Sequence, residues 1–271
     1  MKVNGKVVLV TGGGSGIGRA LVLDLLSRGA SVAAIDIDKE GLDETVKLAG
    51  DKQDRLSSHI ADITDRTAVE ALPEKVIAIH GAIDGLINNA GIIQPFVRVN
   101  DLEYDAIQRV MNVNFFGTIN VTKTFLPYLL ERSEAHIVSM SSMGGFLPVP
   151  GQTVYGASKA AIKLFTEGLH SELMDTNVHV TVIFQGSTNT NIAQNSGLTD
   201  LPGDAQSAED SGFKVMTPED AARQILDAME KNKYQAAVGS DASMMYLLSR
   251  LAPKQAAKLI FNQMKSLLPD K

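Results

Sequence analysis

Short, continuous apolar runs alternate along this chain with longer stretches in which apolar residues recur at helical spacing. The runs at 7–11, 31–36, 56–61, 85–89, 135–141, 178–184 and 236–238 lean on Val, Ile, Leu and Ala without strict polar alternation. Strands of that kind belong to parallel sheets covered on both faces. Helical spacing occupies 16–28, 39–49, 65–80, 101–131, 152–174 and 217–232. The last of these opens on Thr217-Pro218-Glu219-Asp220: a capping hydroxyl, a proline where no N–H is needed, then acids beside the positive helix end. Strand and helix in regular alternation predict an α/β protein. Its sheet should be doubly wound, mostly parallel and seven-stranded, with helices on both faces, in a single domain spanning 1–271.

Two segments depart from that rhythm. Residues 186–216 are rich in Gly, Ser, Thr, Asn and Asp, and an irregular stretch of that length inside a domain predicts a lid over a substrate. Residues 241–271 read as a C-terminal helical extension. There Met244-Met245-Tyr246-Leu247-Leu248 and Leu259-Ile260-Phe261 flank Pro253, with Arg250, Lys254, Lys258 and Lys265 interspersed. Such helices can pack on the domain, line a substrate cavity, meet another subunit or lie on a membrane; packing is the expectation and membrane association is not.

Candidate chemistry begins at Thr11-Gly12-Gly13-Gly14-Ser15-Gly16-Ile17-Gly18, after the first strand and at the start of the first helix. Glycines let backbone N–H groups approach a ligand, and the helix start behind them presents unpaired donors and a positive dipole end, a seat for pyrophosphate. The spacing is neither G-x-G-x-x-G nor a Walker A loop, which needs Lys-Ser/Thr. Asp36 closes the second strand, where a carboxylate can accept both ribose hydroxyls of an adenosine and repel a 2′-phosphate. Ser15 stands where a basic residue would favour that phosphate, so NAD is expected and NADP is disfavoured.

Tyr155 and Lys159 lie four apart in a helical stretch and so share a face. A free phenol titrates near ~10, and a neighbouring cation is expected to bring it toward the operating range of a general acid or base. Ser142 follows the fifth strand, where its hydroxyl can hold a substrate oxygen.

Together these motifs resemble the short-chain dehydrogenase/reductase family, in its compact branch, over residues 4–190. The resemblance implies a Rossmann-type fold and a catalytic set of Asn114, Ser142, Tyr155 and Lys159. Tyr155 would be the acid/base, Lys159 would serve the nicotinamide ribose and the tyrosine, Ser142 the carbonyl or alcohol, and Asn114 a water-linked proton path. Of two asparagines in Val110-Met111-Asn112-Val113-Asn114-Phe115-Phe116-Gly117, Asn114 matches the family position. It further implies Gly12, Ser15, Gly16, Ile17, Gly18 and Asp36 for the cofactor, Asp62 and Ile63 at the adenine, and Asn89, Ala90 and Gly91 beside the central sheet. Tyr155, Lys159, Gly186, Thr188 and Thr190 complete the cofactor set. One departure stands out: Gln185 occupies the position of a rigid family proline, which bears on the stiffness of the loop that follows. A homodimer or homotetramer is also implied.

Composition narrows the alternatives. The 271 residues are 44% hydrophobic, carry a formal charge of -6 and include no Cys. Thiol nucleophiles, disulfides and thiolate metal sites are therefore excluded, and the acidity argues against a nucleic-acid partner. His59, His80, His136, His170 and His179 show no metal-ligand spacing, so no metal is expected. No signal-peptide pattern opens the chain, and a cytoplasmic location is expected. The function expected is an NAD(H)-dependent oxidoreductase acting on an alcohol or ketone, with Met143, Phe146, Leu147, Val149 and Phe96 hinting at an apolar substrate. The alternative is a nucleotide-binding redox sensor without turnover, which would have no use for Ser142, Tyr155 and Lys159 together.

Overall fold

Seven strands form one parallel sheet in the computed structural model, whose described residues are 1–198 and 215–268. They are β1 (Val7–Thr11), β2 (Ser31–Asp36), β3 (Leu56–Ile60), β4 (Gly85–Asn88), β5 (Ala135–Ser142), β6 (Val178–Gln185) and β7 (Gln235–Val238). The order is β3-β2-β1-β4-β5-β6-β7, with every neighbouring pair parallel. Winding reverses between β1 and β4, which leaves a crevice beyond their carboxyl ends.

Side chains alternate across the sheet, so Val8 and Val10 face one layer and Leu9 the other. The first layer is built from α1 (Gly16–Ser27) and α9 (Pro218–Glu230), through Leu21, Leu25, Ile225 and Leu226. The second uses α6 (Thr118–Leu130), with Val121, Phe125 and Leu129, and Leu169 of α7 (Thr153–Glu172). Removing each such side chain from water contributes about 2 kcal/mol. Burial on both faces is why the strands lack polar alternation. The outer strand β3 is the exception, with His59 and Ser57 inward and Ile60 exposed.

Two expected helices are subdivided. The stretch 65–80 divides at Ala71 into α3 (Arg66–Glu70) and α4 (Leu72–His80). Pro73 lacks an N–H and its ring would meet the carbonyl of Val69 in a continuous helix. The stretch 101–131 becomes α5 (Tyr104–Met111), a π-helical segment Asn112–Gly117 and then α6. Its widened turn carries Asn114 inward, and such insertions mark functional positions. Between β2 and β3 runs α2 (Lys39–Ala49).

Of the expected lid, 199–214 lies outside the described residues. The rest holds the short helix α8 (Ile192–Asn195) and a bridge between Thr188 and Met216. At the C-terminus, α10 (Ser240–Leu251) and α11 (Pro253–Met264) pack over the turn that follows β5, through Met245, Ala256 and Leu147. Among the described residues no helix is long and apolar enough to cross a membrane.

Candidate active site

Beyond β1 the chain turns sharply, with Gly12 at φ +72° and Gly16 at φ +50°. A Cβ on Gly18 would lie 1.8 Å from the Gly12 carbonyl oxygen, so only glycine lets α1 start this close to the turn. Two neighbours hold the turn from either side. The Thr11 hydroxyl accepts the backbone N–H groups of Asn89 (3.0 Å) and Ala90 (3.1 Å), while Asn89 Nδ2 donates to the Thr11 carbonyl at 3.0 Å. From the opposite side Thr45 Oγ1 donates to the Gly13 carbonyl at 3.0 Å, and the Arg19 guanidinium donates to Thr45 and to the carbonyls of Gly14 and Gly41. Ser15 Oγ accepts from Asn195 Nδ2 at 2.8 Å, which joins α8 to the turn.

Asp36, at the end of β2, does two things at once. Its Oδ2 accepts the Gly14 N–H at 2.8 Å, and its Oδ1 accepts the Asp38 N–H at 3.1 Å. The carboxylate is thus pinned at the mouth of the crevice. Asp62 is braced similarly, with Oδ1 accepting both the N–H and the hydroxyl of Thr64 at 2.8 Å. Lys39 is paired with Asp43 and so does not neutralise this acidic end.

At the other end, Tyr155 sits in the first turn of α7, half-buried against Ser142. Lys159, one turn later, is 6% exposed and donates from Nζ to the Met140 carbonyl at 3.0 Å. Its ammonium lies 5.9 Å from the centre of the Tyr155 ring. Burial pushes the Lys159 amine down to about 8. Burial also raises the Tyr155 phenol, and the neighbouring Ser142 hydroxyl works in the opposite direction. The expected lowering by the ammonium is therefore corrected for the protein alone: desolvation dominates, and the contact that offsets it comes from the serine. Asn114 is fully engaged behind them. Its Nδ2 donates to the Ile92 carbonyl and to Ser158 Oγ, both at 2.9 Å, and its Oδ1 accepts the Ile92 N–H at 2.8 Å.

Sequence reasoning did not find Gln94, which positions the tyrosine. Wholly buried, its Oε1 accepts the N–H groups of Val154 (2.7 Å) and Tyr155 (3.0 Å), capping α7 from a distant loop. Nor did it find Ser141, whose hydroxyl donates to the Lys159 carbonyl at 2.8 Å. Neither carries a local spacing signal.

The loop after Gln185 is braced without a proline. Gly186 N–H donates to the Val238 carbonyl at 2.9 Å, and Ser187 N–H donates to buried Asp241 Oδ2 at 2.7 Å. Gln185 Nε2 donates to Thr188 Oγ1 at 2.6 Å, while its Oε1 is buried with no partner among the described residues.

A single cleft of about 860 Å³ joins these parts. Its wall includes Gly12, Ser15, Gly16, Ile17, Gly18, Asp36, Asp62, Ile63, Asn89, Ala90, Gly91, Tyr155, Lys159 and Thr190. Four residues expected at the site are not in that wall. Asn114 is turned inward behind Gly91, Gly186 and Thr188 are drawn back toward β7 and Met216, and Ser142 lies beside the cleft against the phenol. Phe146 and Leu147, expected at an apolar cavity, pack instead with the C-terminal helices, Phe146 edge-on to Phe184 and Tyr246. Among the described residues no group of side chains could hold a metal.

A family model described as short chain dehydrogenase matches residues 6–200. A protein of Mycobacterium tuberculosis that carries the name oxidoreductase SadH is 36% identical over 260 residues, covering 94% of each chain. The 3-oxoacyl-acyl-carrier-protein reductase FabG of Thermotoga maritima is 40% identical over 192 residues, 70% of this chain and 77% of its own. A Burkholderia cenocepacia short chain dehydrogenase in complex with NADP superposes with TM-score 0.78 at 27% identity, over 96% of this chain and 99% of that one. A Burkholderia phymatum short chain dehydrogenase/reductase in complex with NAD gives TM-score 0.81 at 24% identity, over 93% and 96%.

Proposed function

The chain belongs to the short-chain dehydrogenase/reductase family, and on that premise we propose that it is an NAD(H)-dependent oxidoreductase acting on a carbonyl or secondary alcohol of a hydrophobic small molecule. One observation carries the reading: a single cleft has the glycine turn and Asp36 at one end, and Tyr155 and Lys159 at the other.

The residues present fit a dinucleotide. The bare turn, where a Cβ on Gly12 would lie 2.9 Å from Asn89 Nδ2, leaves room only for backbone donors against pyrophosphate. Asp36 would take the adenosine ribose, and Asp62 with Ile63 would border the adenine. When bound, the dinucleotide supplies or accepts the hydride. Its structural neighbours are complexed with NAD or NADP, so the preference rests on this chain's own acids. Asp36, Asp38 and Asp62 all border that end of the cleft, and a 2′-phosphate would meet carboxylates rather than a cation.

Tyr155 Oη would exchange the proton at the substrate oxygen, and Ser142 Oγ would hold that oxygen while restraining the phenol. Lys159, kept dry beneath Gly91, would face the nicotinamide ribose and add positive charge where the phenolate forms. Asn114 would fix the floor by tying the 91–92 turn to Ser158. Ile92 and Ile192, in the wall of the same cleft, favour an apolar substrate.

Fluorescence titration with NADH and NADPH, followed by absorbance assays against a panel of ketones and secondary alcohols, tests this. NADH should bind more tightly and support turnover. Binding of neither dinucleotide, or tighter binding of NADPH, would overturn the reading.

A further inference from the structure

We propose that the outer face of the C-terminal helix pair, α10 and α11, is a docking surface for an anionic phospholipid bilayer. Between Asp241 and Asp270 the chain has no acidic residue, although the whole carries a formal charge of -6. Arg250, Lys254, Lys258 and Lys265 fall in that stretch and all four are exposed. Among the described residues Lys254, Lys258 and Lys265 have no carboxylate partner. The positive charge of this region is thus unneutralised by any described residue.

Large apolar side chains are exposed beside it. Leu251 is 76% exposed, Leu247 59%, Phe261 49% and Met244 48%. Their spacing is regular: Met244, Leu247 and Leu251 share one side of α10, while Lys254, Lys258 and Phe261 share one side of α11, and Lys265 follows directly after it. The opposite sides are already used, since Met245, Ala256 and Leu259 form the small core under the pair. An exposed side that mixes Leu, Met and Phe with Lys suits the boundary between headgroups and acyl chains. Apolar tips enter the boundary, lysine stems extend along it and ammonium groups meet phosphates.

Charge decides among occupants. A twofold contact with a second copy would set two such groups of cations against each other, with no acid from either stretch to separate them. An uncharged apolar partner would leave the cations unused. An anionic bilayer satisfies both features. This differs from the expectation drawn from the sequence, in which the tail packs on the core or on another subunit and membrane association is not expected: its inner side does pack, and its outer side is left over.

Placement gives the docking a consequence, which alone rests on the proposed function. The helix pair covers the turn after Ser142, and Leu268 beyond α11 reaches Gly151, ahead of the catalytic helix. Docking would set the substrate side of the cleft against the bilayer, where apolar carbonyl compounds accumulate.

The test is co-sedimentation of the full chain with phosphatidylcholine vesicles containing about 30% phosphatidylglycerol, against phosphatidylcholine alone. The anionic vesicles should bind at least ~10-fold more tightly, and added salt should weaken them. The triple variant Lys254→Glu/Lys258→Glu/Lys265→Glu should lose about 100-fold in affinity. Leu247→Ser/Leu251→Ser should weaken binding even at low salt. Every substituted residue is exposed, and circular dichroism with an NADH titration verifies that the variants fold. Equal binding to both vesicles, or affinity undiminished by charge reversal, overturns the proposal. So does a charge reversal that alters only the solution mass, which would mark an interface between copies, or only binding to an acidic protein. No readout depends on turnover.

Discussion

The side-chain oxygen of Gln94 accepts the backbone N–H of Tyr155 at 3.0 Å. The same oxygen takes the Val154 N–H, Gln94 Nε2 donates to the Gly151 carbonyl at 2.9 Å, and the Gln94 carbonyl accepts from Gln152 Nε2 at 2.8 Å. A helix start has N–H groups with no partner inside the helix, and here a single wholly buried amide supplies it. The place of the phenol is therefore set from a loop more distant in sequence than any helical neighbour.

Gln94→Ala should strand two N–H groups and one carbonyl away from water, destabilising the fold by about 3 kcal/mol. Turnover should fall more than NADH affinity, because the glycine turn and Asp36 are untouched. Denaturant unfolding, NADH titration and steady-state rates measure all three. Gln94→Glu retains an acceptor for the helix and should recover part of the rate. Equal proportional losses in rate and affinity would show that the cap does not act through Tyr155.

Tyr155→Phe removes the hydroxyl and keeps the ring. NADH affinity should stay within about 3-fold while kcat falls by roughly 100- to 10,000-fold, the range for loss of an acid/base group. Ser142→Ala removes the contact that opposes the effect of burial on the phenol, so its pKa should rise further. The limb of the kcat/KM profile that reports the phenol should move to higher pH in that variant. A limb that stayed in place would separate Ser142 from the titration.

Asp36 links cofactor choice to the shape of the turn, since its Oδ2 holds the Gly14 N–H. Asp36→Ala should weaken NADH by about 10- to 100-fold, through loss of charged hydrogen bonds and of turn order together. Asp36→Asn separates the two effects. It retains an acceptor for Gly14 but removes the charge, so the gap between NADH and NADPH should narrow while NADH loses less. If both substitutions left the ratio of the two affinities unchanged, the ribose would be read elsewhere.

Continuous apolar strands, the Thr11–Gly18 turn, Asp36 and the Tyr155–Lys159 spacing were legible because each is a local pattern with a local cause. What escaped depends on contacts between remote segments. Gln94 reaches α7, Arg19 and Thr45 brace the turn from α1 and α2, and Asp241 of α10 holds the loop after β6. The spacing of Tyr155 and Lys159 correctly implied proximity, but proximity does not reveal how dry a site is. That dryness reverses the direction expected for the phenol. Gln185 shows the same limit: the missing proline suggested a loose loop, whereas hydrogen bonds accepted by Val238, Thr188 and Asp241 supply the bracing.

The buried amine of Lys159 should make stability depend on pH in a defined direction. Its value in the folded protein is about 8, against an ordinary 10.5, and desolvation is the cause. Between those values the unfolded chain binds more protons than the folded one, so unfolding free energy rises with pH across the window. Below about 8 both states carry the charge, and the folded state bears the full cost of keeping an ammonium out of water, about 3 kcal/mol over the window. Lys159→Met fits the same space without that cost. It also leaves the Met140 carbonyl without its donor, a loss of about 1 kcal/mol that does not vary with pH. The diagnostic is therefore the slope rather than the offset. The stability of Lys159→Met relative to the parent, measured by urea unfolding without dinucleotide, should be greatest below about pH 8 and shrink steadily toward about pH 10.5. A difference that is flat across the window would mean the amine titrates normally, and the case for a dry ammonium beneath the phenol would fail with it.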